Sequence, residues 1–367
     1  MKHIGIIAVG TLILSSCGFP SSESSSGGLD SITLAADTLK YADEIHLQNV
    51  QQLTFGGDNA EAYWSYGNDK LVFQSNNREW GVECDQIYIY DFANPIAKGE
   101  VPTPLSTGFG RTTCSYFVGG DTAIVYASTH EGDSACPAEP SKEDGYVWAI
   151  YPDYDIYMAN MEGEIIRKLT DFDGYDAEAT VSPDGKTIVF TSMRSGDLEL
   201  YTMDLNGNNI TQITHDLGYD GGAFFSPDGK QLVWRSSRPK TDEEKAKYKD
   251  LLSRGLVMPS DMELYVGNVD GTNIRKVTDL GGANWAPFFH PSGEKIIFSS
   301  NHENERGYPF NLYMINVDGT GLEQITHDGT FDAFPMFSPD GKKLVFSSNR
   351  FNGGTRATNL FVADWVE

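Results

Sequence analysis

The chain opens on an apolar run, Ile4 to Leu14, eleven residues without a charge. A helix of that length falls short of the roughly 30 Å core of a bilayer and matches the core of a secretory signal peptide. Pro20 to Gly28 is polar, carries almost nothing to bury, and reads as a tether. From residue 46 onward the pattern changes. Short apolar runs rich in Val, Ile, Tyr and Phe alternate with glycine-containing turns, which predicts β-strands joined by hairpins.

Four tight-turn signatures punctuate these strands: Ser182-Pro183-Asp184-Gly185, Ser226-Pro227-Asp228-Gly229, His290-Pro291-Ser292-Gly293 and Ser338-Pro339-Asp340-Gly341. They start 44, 64 and 48 residues apart. A repeat of that length made of strands and turns predicts propeller blades. After each turn comes a β run such as Thr187–Phe190 or Leu344–Phe346, then a third strand such as Leu200–Asp204 or Leu312–Asn316. A second glycine turn (Asn206-Gly207, Asp270-Gly271, Asp318-Gly319) leads to an outer strand ending in Ile213-Thr214, Val277-Thr278 or Ile325-Thr326. Two degenerate copies precede these, one begun by Ala62–Ser65 and Leu71–Phe73, the other by Ser115–Phe117 and Ile124–Tyr126. The last copy stops after its third strand, Asn359–Trp365, and the missing outer strand stands at the front as Val50–Thr54. Pairing the two would close the ring and remove an exposed edge. The expected fold is therefore all-β, a six-bladed β-propeller of four-stranded blades closed between its first and last strands.

The Ser-Pro-Asp-Gly turns, the Phe298-Ser299-Ser300-Asn301 run after a second strand and the Leu312-Tyr313-Met314-Ile315-Asn316 third strand resemble the repeats of TolB-type β-propellers. The resemblance covers residues 46–367 and implies that fold, with an envelope or transport role as the family's expectation. The family's additional N-terminal α/β domain is not expected between Cys17 and the first blade strand, a stretch too short to hold it. Leu14-Ser15-Ser16-Cys17 is likewise similar to a bacterial lipobox, which implies acylation of Cys17. The expected organisation is a signal peptide over 1–16, a lipidated cysteine and tether over 17–45, and the propeller over 46–367. That places the protein in the bacterial cell envelope, held on the outer membrane by its lipid and facing the periplasm or the cell surface.

Asp and Glu total 52 against 27 Lys and Arg, a formal charge of −25. So acidic a chain lacks the basic stripe that nucleic acid demands. Most of the extra length falls in loops between second and third blade strands, so function is expected on that face. Cys84 and Cys136 lie in such loops of adjacent blades and form the preferred disulfide, leaving Cys114 on an inner strand as a buried thiol. In the long loop of the second blade, Tyr146, Trp148, Tyr151 and Tyr154 either stack on a ligand or pack the loop itself. Another insert, opened by Thr241 and Glu244 and ended by Gly255, reads as a capped helix.

Inner strands line a propeller's channel. Counting back from each turn puts Asn59, Arg111, Asp176, Asp220, Asn284 and Asp332 at its mouth. Two residues on, Glu61, Thr113, Glu178, Gly222, Ala286 and Phe334 are expected to share the same facing. Converging carboxylates either recruit a hard cation, with Asp176, Asp220 and Asp332 as Ca²⁺ ligands, or pair with loop arginines (Arg78, Arg194, Arg238, Arg350). The mouth then suits an amine, a peptide N-terminus or an ion. No Gly-x-Ser-x-Gly elbow and no His-Glu-x-x-His helix occur in the sequence. The expectation is thus a non-enzymatic binding propeller with a protein or peptide partner. The alternatives are a polysaccharide lyase or hydrolase, or an accessory subunit of an envelope peptidase.

Overall fold

A computed structural model describes residues 38–304 and 307–367. The lipobox with Cys17, the signal peptide and the tether up to residue 37 lie outside the described residues. From residue 47 the chain builds a ring of six four-stranded antiparallel sheets. In the third blade the strands are Asp176–Val181, Thr187–Ser192, Glu199–Asp204 and Thr211–Gln212, from the channel outward. The inner strands of the others are Asp58–Trp64, Thr112–Phe117, Asp220–Phe225, Asn284–Phe289 and Asp332–Phe337. Val189, Phe190, Leu232, Trp234, Ile296, Phe298, Leu344 and Phe346, all on second strands, have no exposed surface and fill the space between blades.

The last four blades are pinned by the same local chemistry. In the Ser-Pro-Asp-Gly turns the serine hydroxyl donates to the aspartate at 2.7 Å in all three copies, and His290 with Ser292 at 2.9 Å takes that place in the fourth. Gly185 sits at φ +67°, the left-handed conformation that closes the hairpin without a Cβ clash. At the other end of the blade, a hydroxyl on the outer strand accepts the backbone N–H of the third strand's second residue. Leu200 donates to Thr214, Leu264 to Thr278 and Leu312 to Thr326, at 2.8–2.9 Å. In the last blade Leu360 donates to Thr54 at 2.9 Å, so a residue ahead of the first blade completes the last one.

The closing strand is Leu47–Gln52, antiparallel to Asn359–Trp365, with Leu47 opposite Trp365 and Gln52 opposite Phe361. It begins three residues before the expected Val50, because the ladder continues across an irregularity at Asn49, whose φ is +50°. Packed structure also reaches further forward than residue 46. Glu44 is fully buried and accepts two hydrogen bonds from Arg350, at 2.8 and 3.0 Å. The expected tether over 17–45 is therefore too long at its C-terminal end, since a paired, buried carboxylate cannot swing freely.

The second-to-third-strand loops gather on one face. The insert of the fourth blade forms the helix Asp242–Ser253, with the Thr241–Glu244 capping box in place and Tyr248 and Leu251 buried. Beyond it, Leu256–Val257 pairs with Trp148–Ala149 from the loop of the second blade. This small ladder carries the two longest loops across the third blade. No helix among the described residues is long and apolar enough to cross a membrane.

Candidate functional site

The inner strands do not run as simple two-residue repeats, and this decides what faces the channel. Each carries a bulge: the register slips between Ala60 and Tyr63, Thr113 and Ser115, Ala177 and Thr180, Gly221 and Phe224, Trp285 and Phe288, and Ala333 and Met336. At each slip one residue is left-handed: Glu61, Cys114, Glu178, Gly222, Ala286 and Phe334, with φ from +43° to +61°. An extra residue in one strand turns its side chain out of the alternation. These six positions surround the channel.

The bulge corrects the expected facing. The first positions, expected at the mouth, turn into the blades instead, except Arg111. Asp176 pairs with Arg194 at 2.6 Å, Asp220 with Arg238 at 2.8 Å and Asp332 with Arg350 at 2.8 Å, and all three carboxylates have no exposed surface. Burial pushes Asp176 up to about 6, against the pull of Ser192 and Arg194, and raises Asp220 and Asp332 as well. Expected as Ca²⁺ ligands, the three aspartates do not gather; each is taken by an arginine of its own blade. Among the described residues no three His, Cys, Asp or Glu side chains cluster as a metal site. Asn59 donates to the carbonyls of Gly56 and Thr358, and Asn284 to that of Met262, so both brace loops. In the second blade the channel residue is Cys114 rather than Thr113, since the slip there spans one residue fewer.

The second set does reach the cavity. A hollow of about 460 Å³ opens on the loop face, and Glu61, Arg111, Cys114, Glu178 and Arg235 line it together with aromatic rings. Glu178 is held on every side. Tyr219 Oη donates to its Oε1 at 2.7 Å and Arg235 pairs with the same oxygen, while Thr191 (2.6 Å) and the N–H of Gly222 (3.0 Å) serve Oε2. Gly222 is required here: a Cβ would stand 2.0 Å from Arg235 Nη1. Arg235, which no sequence motif singles out, thus fills the space its blade's glycine leaves empty. Its guanidinium stacks 5.1 Å from Trp148 and 5.3 Å from Tyr219.

Glu61 is served differently. Tyr63 Oη donates to it at 3.0 Å and the Cys114 thiol lies alongside. Burial raises its carboxyl, and burial with the Glu61 and Glu178 charges pushes the Cys114 thiol well up. Arg111, expected amid the carboxylates, stands at the rim, paired with Glu139 and with Asp85 at 3.5 Å. Tyr146, Trp148, Tyr151 and Tyr154 of the second-blade loop all line the cavity. Trp285 joins them, 5.3 Å from Trp148 and donating to the Pro259 carbonyl at 2.9 Å. Cys84 and Cys136 are joined as a disulfide, tying this loop to the first blade.

Residues 149–241 and 258–357, together more than half of the chain, match the family model of the TolB beta propeller domain. No curated protein matches the chain. Among solved structures, a TolB-type protein of Agrobacterium tumefaciens is 20% identical with a TM-score of 0.55, covering 85% of this chain and 91% of that one. TolB of Acinetobacter baumannii is 19% identical at 0.53; the match covers 82% of this chain and 64% of that one. A gluconolactonase of Xanthomonas campestris is 14% identical at 0.55, covering 88% and 91%. At these identities the likeness is one of fold. The family match, with the six blades and their turns, shows that this chain belongs to the TolB β-propeller family.

Proposed function

We propose that this protein is an envelope-anchored recognition propeller that holds a protein or peptide partner at its loop face, without catalysing a reaction. The observation that carries the reading is the built cavity: two long loops, locked by a disulfide and a two-stranded ladder, wall a hollow lined by Tyr146, Trp148 and Trp285. Preorganised aromatic walls supply contact area at low entropic cost, as binding sites require. Cross-linking in intact cells tests it. A Trp148→Ala/Trp285→Ala variant that folds as wild type should lose the principal cross-linked species, and an unchanged profile refutes the reading. The anchor is checked separately. Labelled palmitate should enter the wild-type protein and not Cys17→Ser.

A second reading rests on the two channel carboxylates. Glu61, raised by burial, beside Glu178 has the form of a glycan-cleaving acid and base. Against it, all four hydrogen bonds to Glu178 are structural, leaving its oxygens occupied. Release of reducing or unsaturated ends from polysaccharides, abolished by Glu61→Gln, would favour this reading.

A further inference from the structure

The ions lining the cavity do not balance in pairs. Arg235 is engaged by Glu178 and Arg111 by Asp85 and Glu139. Glu61 is left with neutral donors, the Tyr63 hydroxyl and the Cys114 thiol, and Arg235 acts on it only from beyond ion-pair distance. A carboxylate with burial but no cation is costly, and a ligand that brings one recovers the cost. The walls above it favour the same charge. Trp148 and Tyr219 already hold one cation face-on, that of Arg235, and Tyr146, Trp285 and Phe334 present further rings to the hollow. An anion would meet Glu61 and Glu178 together at the channel floor. A metal ion would find one carboxylate not already held by an arginine where it needs several, and no three such ligands cluster among the described residues.

We propose that the cavity takes a primary ammonium group, seated on Glu61 and walled by Trp148 and Trp285. This rests on the reading of the loop-face cavity as the recognition site, and it names the chemistry that site selects. A peptide N-terminus and a lysine side chain both carry that group. Pairing with a charged group in a desolvated pocket contributes about 1.5–3 kcal/mol, which corresponds to roughly tenfold to a hundredfold in affinity.

Calorimetry on the full chain in detergent tests this with three probes: Ala-Phe-amide, its N-acetyl form, and N-acetyl-lysine amide. At least one of the two amines should bind, identifying the source of the ammonium. The doubly blocked peptide should bind at least tenfold more weakly, and Glu61→Gln should lose the amine by a similar factor while keeping its melting temperature. Glu61→Asp, which keeps the charge, should retain part of the binding. If the blocked peptide binds as well as the amine, or Glu61→Gln binds it unchanged, the ammonium proposal is overturned while the cavity remains the site. If Trp148→Ala leaves amine binding intact, the cavity reading itself falls. Absence of binding by every probe overturns the ammonium proposal.

Discussion

Glu199 begins the third strand of its blade with 2% of its surface exposed, and its Oε2 has no hydrogen-bond partner. Burial, with repulsion from Asp220 and Asp197, pushes it up to about 8 despite the Thr214 hydroxyl. In an unfolded chain a glutamate titrates near about 4.3. Between these values the folded protein keeps a proton that the unfolded chain has released, so stability falls as pH rises from about 4.5 to about 8 and levels off above. Glu199→Gln lacks that titration. The stability difference, wild type minus variant, should therefore decline across this window in urea melts taken from pH 5 to 9. A pH-independent difference would show that Glu199 ionises normally. Glu263, the same position one blade on, is better served. It accepts from Thr278, the N–H of Gly281 and the Asn284 amide, three donors where Glu199 has one buried oxygen bare.

At the level of elements, the ring carries its loops on staples of different kinds. The Cys84–Cys136 bond closes a stretch of 52 residues that includes the whole inner and second strands of the second blade. Cross-linking a loop of this size stabilises by about 2–4 kcal/mol, largely through the unfolded chain. Cys84→Ser should lower the denaturation midpoint accordingly under oxidising conditions and open the 129–147 loop to protease. Reductant should bring the wild type to the variant's level and leave the variant unmoved. The blades themselves were legible because their turns and strand endings repeat as residue types: Ser-Pro-Asp-Gly at one end, a hydrophobic residue and threonine at the other. Leu53-Thr54 is a further copy of that ending, which is why closure could be anticipated although the strand's start could not. The channel lining was half legible for a physical reason. A bulge is a backbone event, and the residues that occupy it here, Glu61, Cys114, Glu178, Gly222, Ala286 and Phe334, share no side-chain character. Without the bulge, alternation assigns Asp176 and Glu178 to one face; with it, one pairs inside the blade and the other meets the channel. Arg235 and the ladder from Trp148 to Val257 depend on contacts between different blades, which no local pattern announces.

Across the whole molecule, the two ends of the described chain meet in one blade. Three groups, Glu44, Arg350 and Asp332, are buried together there, and Tyr41 stacks on Phe351 at 5.2 Å just before Glu44. Removing one partner from such a cluster leaves a charge without compensation and costs about 3–5 kcal/mol. The clamp precedes the closing strand Leu47–Gln52 in the chain, and this order matters when the protein is pulled. A load applied through residues ahead of Leu39 reaches Tyr41 and Glu44 before it reaches the hydrogen bonds that shut the ring. The clamp then acts as a mechanical stop, so tugging at the N-terminal end strains an ion cluster and spares the seam. In optical-tweezers stretching from the N-terminus, Glu44→Gln should give way at lower force than wild type, with the first extension step corresponding to the closing strand. Equal rupture forces would mean that the ladder alone bears the load.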